Sequence, residues 1–125
     1  MPDMKRGLRT GLREWANQSR AEAVELHGHA VRAGCVPVSD APDRELVTIQ
    51  GSLRTVTLRP RGGVPALEAE LYDGSGSLYV VWLGRRHIAG IEPGRRLRIH
   101  GMVTEAEGQR AVFNPRYELV PKPHA

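Results

Sequence analysis

The residues in this chain best suited to chemistry are cations, and they cluster. Between positions 85 and 98, Arg85, Arg86, Arg95, Arg96 and Arg98 face a single carboxylate, Glu92, so this stretch alone carries +4. Clustered guanidinium groups suit phosphate, because each neutralised phosphate releases condensed counterions. Extended-strand alternation puts Arg96, Arg98 and His100 on one side, opposite Leu97 and Ile99. Arg54, Arg59 and Arg61 would form a second rim, and Arg110 and Arg116 a third. The plainer account of these cations is a solvated surface with Glu105, Glu107 and Glu118 as partners.

Aromatic side chains could complement such a patch by stacking on bases, worth roughly 1–3 kcal/mol per base. Alternation points Leu78, Val80 and Trp82 one way and Tyr79, Val81 and Leu83 the other, so Trp82 belongs to a core. Tyr72 and Tyr79 are then the outer-face candidates, although exposed strand tyrosines are common in any sheet. Glu68 and Glu70 alternate outward beside them and would repel phosphate unless arginines neutralise them.

Other constellations are poor. His27 and His29 with Cys35 match no standard zinc spacing and lack a fourth ligand. Asp73-Gly74-Ser75-Gly76 has neither the basic residue of a phosphate loop nor the strand-to-helix setting of a nucleophile elbow. Neither an enzyme activity nor a metal nor a cofactor is expected.

The elements that must position these residues follow from periodicity. In 125 residues there is room for one ordinary domain and an appendage. Period-two apolar runs, closed by Gly or Pro, predict five strands within residues 45–120. They centre on Val47 to Leu58, Leu67 to Leu71, Leu78 to Leu83, Leu97 to Ile99 and Val112 to Leu119. A helical turn is expected at Arg85–Ile91, a tight hairpin at residues 73–76, and a flexible loop at residues 60–65. Gly51 and Gly101 sit mid-strand, where sharp coiling would need a missing side chain.

Ahead of the strands, Leu8, Leu12, Trp15, Ser19, Ala23, Leu26 and Ala30 recur at helical spacing. One or two helices are expected there, closed by Gly34 and followed by a Pro-containing linker at residues 36–44, with residues 1–7 frayed. The chain thus divides into a helical extension (1–44), a strand domain (45–120) and a short tail (121–125). The extension is nearly charge-balanced, seven cations against six anions, whereas the remainder holds eleven against eight. A single cysteine allows no internal disulfide and suits a reducing compartment, and no apolar run is long enough to span a membrane. A cytoplasmic location is expected.

Several segments taken together resemble a known fold family. They are Val47-Thr48-Ile49-Gln50-Gly51, Leu71-Tyr72-Asp73-Gly74-Ser75-Gly76, the strand from Leu78 to Leu83, the run from Ile91 to Gly101, and Asn114-Pro115-Arg116-Tyr117-Glu118. In this order they resemble the OB-fold family that includes the wedge domain of the branched-DNA helicase RecG and anticodon-binding domains of some tRNA synthetases. The whole chain looks like small stand-alone OB-fold proteins of actinobacteria. The resemblance implies a mainly β, five-stranded Greek-key barrel that binds single-stranded or structured DNA or RNA with low sequence specificity. It supplies no helicase motor and no synthetase domain, and it leaves the helical extension without a counterpart. Two readings therefore stand: a nucleic-acid-binding module, and a protein–protein adaptor that docks or self-associates through residues 8–33.

Overall fold

The computed structural model describes residues 2–121, with side-chain surroundings from residue 12 onward. The side-chain surroundings of Leu8, in the predicted helical seam, and tail residues 122–125 lie outside what is described. A long helix, α1 (Pro2–Arg32), leads through a 3₁₀ turn (Val38–Asp40) into seven strands. These are β1 (Leu46–Leu58), β2 (Ala66–Tyr72), β3 (Ser77–Leu83), β4 (Arg96–Met102), β5 (Thr104–Ala106), β6 (Gln109–Phe113) and β7 (Arg116–Leu119). They form one mainly antiparallel sheet in the order β5-β6-β3-β2-β1-β4-β7, with β3 and β6 parallel.

Of the residues expected to fray, 2–7 belong to the helix, which runs unbroken through Gly28. Its end is the predicted one. Gly34 takes a positive φ of 76°, and the Cys35 and Gly34 amides return to the carbonyls of Ala30 and Val31. Those two bonds make a Schellman motif, which satisfies carbonyls that the helix end would otherwise leave orphaned.

Where five strands are expected the structure has a seven-stranded open sheet, because the predicted last strand is broken in two and a short additional strand, β5, follows β4. Between β4 and β5, Val103 leaves the ladder and buries its side chain. Between β6 and β7, Asn114 adopts a positive φ of 49° and Pro115 has no amide hydrogen to donate. The first and last strands in the order are thus chain continuations of strands near the opposite edge, β5 of β4 and β7 of β6. The predicted helical turn at Arg85–Ile91 is also absent. Gly84 and Gly90 take positive φ there, and buried Ile88 and Ile91 anchor an irregular loop instead.

The 13 residues of β1 serve two partners. Leu46 to Ser52 pair with β4, and Ser52 to Leu58 pair with β2. The handover lies beside Gly51, where any Cβ would collide with the Tyr72 carbonyl, so the requirement there is close backbone approach. Inward-facing Ile49, Leu53, Leu67, Ala69, Leu71, Leu78, Val80, Trp82, Leu97, Ile99 and Val112 form one core with Val38 and Ala41. Each fully buried Leu, Ile or Val contributes roughly 1.5–3 kcal/mol. The core assigned to Trp82 by alternation is the one observed. Val81, expected to face outward, is fully buried as well.

Candidate nucleic-acid interface

The twelve residues singled out by the sequence fall into separate groups on the outer, non-core side of the sheet and on the loops bordering it. Tyr72, Tyr79, Arg54, Arg59 and Arg61 gather on the outer side of β1, β2 and β3 or on the loop bordering it. The ladder registers place Thr55, Glu70 and Tyr79 in a row across the three strands, with Thr57, Glu68 and Val81 beside them. Arg54 falls at a register shift between Leu53 and Thr55. A bulge of this kind re-aims one side chain. The Arg54 guanidinium lies 3.5 Å from the centre of the Tyr72 ring, a cation–π contact.

The loop after β1 folds over the other end of this face. Arg61 Nη2 donates to Glu68 Oε2 at 3.1 Å, and Arg59 Nη1 lies 3.8 Å from Glu68 Oε1. Both arginines also reach Glu107 in the β5–β6 turn, at 3.8 and 3.9 Å. Together Arg59, Arg61, Glu68, Tyr79, Ala106, Glu107, Gln109 and Ala111 line a cleft of about 240 Å³. Glu68 is thus neutralised by the arginines that its position calls for. Glu70 makes no ion pair among the described residues.

Arg85 and Arg86 are exposed just beyond β3. The Gly84 amide bonds to the Pro65 carbonyl at 2.6 Å, which ties their loop to the one carrying Arg59 and Arg61. The Leu83 amide donates to Asn114 Oδ1 at 2.9 Å, bringing the β6–β7 break to the same end. Neither Arg85 nor Arg86 has an ion-pair partner among the described residues.

The β4 strip has different surroundings. Arg96, Arg98 and His100 alternate with buried Leu97 and Ile99 as expected, but each is engaged within the protein. Arg96 Nη2 donates to Glu25 of α1 at 2.9 Å. Arg98 donates through Nε and Nη2 to Gln50 Oε1 and lies 3.7 Å from Glu118. His100 sits between Thr48 Oγ1 and Glu118 Oε1, 2.9 Å from each. The His100 hydrogen bond, aided by Arg98 and Arg116, holds the Glu118 carboxyl below its ordinary value. Arg96 does the same for Glu25. Arg95 is half-buried in the turn before β4, its Nε without a partner among the described residues. Arg116 is exposed beside a second cleft of about 320 Å³ bordered by Leu46, Val47, Thr48, His100 and Gly101.

Sequence reasoning missed the two carboxylates' shared role over the cleft and the lining provided by Gln109. The apposition of the β5–β6 turn to the loop after β1 depends on the parallel β3–β6 pairing, which leaves no local pattern in the sequence. Arg110, expected on a rim, instead donates to the carbonyls of Val38 and Ala41 and holds the 3₁₀ segment in place. Cys35 is buried, and burial raises its thiol pKa.

No protein-family model matches the chain, and no curated protein matches it. Solved structures do. A part of RecG, in its structure bound to a three-way DNA junction, superposes with a TM-score of 0.57 at 24% identity. It covers 70% of this chain and 12% of RecG. The p204 HINb domain superposes with a TM-score of 0.56 at 18% identity, covering 69% of this chain and 47% of that one. What is shared at these identities is the fold, and the chain spans less than half of either protein. Among the described residues, no helix is long and apolar enough to cross a membrane.

Proposed function

We propose that this protein is a non-catalytic, OB-type nucleic-acid-binding module that takes single-stranded or structured DNA or RNA across the outer face of β2 and β3. The observation that carries this reading is the cleft. Loops of this fold type bind oligonucleotides where the first loop and the turn before the last strand flank the face of the second and third strands. Here Arg59 and Arg61 come from the first of those loops, Glu107 and Gln109 from the second, and Tyr79 from the face between them. RecG, which shares the fold, was captured on a DNA junction, and this supports the same ligand class.

Phosphate would be held at the two ends of the face, by Arg54 on its Tyr72 support and by Arg85 and Arg86. Stacking on Tyr79 and backbone contacts are both sequence-tolerant, so base preference along most of the strand is small. The cations of β4 contribute less to the ligand than their spacing suggests, because Glu25, Gln50 and Glu118 already use Arg96 and Arg98.

The test is fluorescence anisotropy with labelled single-stranded DNA, single-stranded RNA and a forked duplex at low and moderate salt. Binding that weakens steeply with salt, and that falls in the Arg85→Glu/Arg86→Glu variant, is the expected result. Absence of binding to all three at low salt overturns the reading.

The adaptor reading draws on a separate observation. Leu12 and Trp15 of α1 are 66% and 68% exposed, although Leu26 and Ala30 on the same stripe are buried against the sheet. A chain beginning at Val36 should keep nucleic-acid binding under the first reading. Under the second it should lose a partner or a dimer, which sedimentation of both forms would detect.

A further inference from the structure

The cleft over β2, β3 and β6 is built for something other than phosphate. Its two guanidinium groups meet two carboxylates, so it offers no surplus charge for counterion release. Yet it is polar and ordered. The Glu68 side chain is only 9% exposed, and Arg61 Nε is buried with no hydrogen-bond partner among the described residues. A buried donor left unpaired costs free energy, and in native proteins most such groups have an acceptor.

The neighbours of Tyr79 are small. Ala111 stands directly across from it in the parallel β3–β6 register, and Ala106 lines the same cleft. That leaves the tyrosine flank open to a flat group, with room for one base and not for a base pair. A ligand for this place is planar, uncharged, and carries both donors and acceptors. A nucleobase meets those conditions.

The bases are not equivalent here. Guanine presents acceptors at O6 and N7, which suit a guanidinium donor. It also presents two adjacent donors, N1–H and the N2 amino group, which suit a carboxylate. Adenine and cytosine set one amino donor beside acceptors, and thymine sets one imino donor between two carbonyls. A carboxylate has about four lone-pair positions, so Glu68 can accept from a base while keeping Arg61 and Arg59.

Resting on the nucleic-acid reading above, we infer that this cleft is a subsite for one unpaired guanine. Tyr79 stacks on the ring, the exposed Arg59 guanidinium donates to O6, and Glu68 accepts from N1–H and N2–H. The rest of the strand is held without regard to sequence, so the preference belongs to one position.

The experiment compares the intact protein's affinity for oligothymidylate with that for strands carrying one central guanine, hypoxanthine or adenine. Guanine should raise affinity roughly tenfold, and hypoxanthine, which lacks the N2 amino group, should lose most of that gain. In Glu68→Gln the ratio of guanine to adenine strands should shrink towards one. Equal affinity for all strands overturns the subsite while leaving nucleic-acid binding intact, as does a guanine preference that survives Glu68→Gln. No binding to any strand at low salt removes both. The ligand series on the unaltered protein decides the matter even if the variant does not fold.

Discussion

At the scale of single residues, Asp73 shows how a turn signal can hide a structural hub. The sequence Asp-Gly-Ser-Gly announces a hairpin, and one is found. What it does not announce is that the carboxylate is fully buried. Oδ1 accepts from the Ser75 and Gly76 amides and from the Ser75 hydroxyl, and Oδ2 accepts from the Val38 amide at 2.8 Å. The last bond spans 35 residues and fixes the segment before β1 to the hairpin. Removing the acceptor leaves buried amides unpaired, each costing about 1–3 kcal/mol. Asp73→Ala should therefore lose about 3 kcal/mol or more in urea unfolding. Ser75→Ala, which deletes one of the donors, should lose about 1 kcal/mol. A different kind of residue effect is expected at Glu107, which is two-thirds exposed and pairs with both Arg59 and Arg61. Glu107→Gln removes a competing negative charge, so nucleic-acid affinity should rise several-fold with stability nearly unchanged, as is usual for an exposed pair. Anisotropy and urea unfolding on the same variant check both parts.

At the scale of elements, α1 shows where periodicity stops being informative. The recurrence from Leu12 to Ala30 predicted a helix with an apolar seam, and the helix is there. Only its last turns use the seam: Leu26 and Ala30 are buried, while Leu12 and Trp15 stay in water. Spacing specifies that a stripe exists but not how far along it a neighbouring sheet extends, because that length is set by long-range pairing. The docked end is held by close approach as well as burial, since a Cβ on Gly74 would strike the Ala23 carbonyl. It is also held by the Glu25–Arg96 ion pair. Arg96 was legible as a cation on an outer strip, but its partner 71 positions away was not. The consequence for acid stability has a definite sign. The hydrogen bond and charge of Arg96 hold the Glu25 carboxyl below its ordinary value in the folded protein. The pair's contribution is therefore complete above the usual carboxylate range and is lost as pH falls below it, through the lowered folded value. Protection factors at residues 20–32, corrected for the intrinsic exchange rate at each pH, should fall over that acidic window while those of β1 to β3 are kept. In Glu25→Gln the same amides should have lower protection factors already at neutral pH, and their acidic step should vanish.

At the scale of the whole molecule, the boundary drawn from composition and the boundary set by packing differ. The Pro-containing stretch at residues 36–44 looked like a linker, and its prolines do mark irregular backbone. Its Val38 and Ala41 are nevertheless part of the core, its Val36 amide bonds to the Thr48 carbonyl, and Arg110 clasps its carbonyls. Alternating strands are legible because every second residue reports the core. A buried valine between two prolines has no period to reveal it. A chain starting at Asp43 would lose both apolar residues and leave Asp73 without its Val38 donor, at a cost of roughly 3–5 kcal/mol. One starting at Val36 keeps all of these contacts and should fold, with a urea midpoint well above that of the shorter form. Charge is distributed on the same scale. Of the arginines expected to meet phosphate, Arg59, Arg61, Arg96, Arg98 and Arg110 already face carboxylates, which leaves exposed Arg54, Arg85, Arg86 and Arg116 and half-buried Arg95 with no ion pair among the described residues. Three or four phosphate contacts on a single strand give a log–log salt slope of about −2 to −3. The Arg85→Glu/Arg86→Glu variant should flatten that slope by more than one, because it removes two contacts and adds repulsion. Arg98→Gln should leave the slope unchanged, since that guanidinium is turned to Gln50 and Glu118. A slope near −5 or steeper in the unaltered protein would mean that bound phosphate displaces the internal carboxylates and recruits the β4 strip after all.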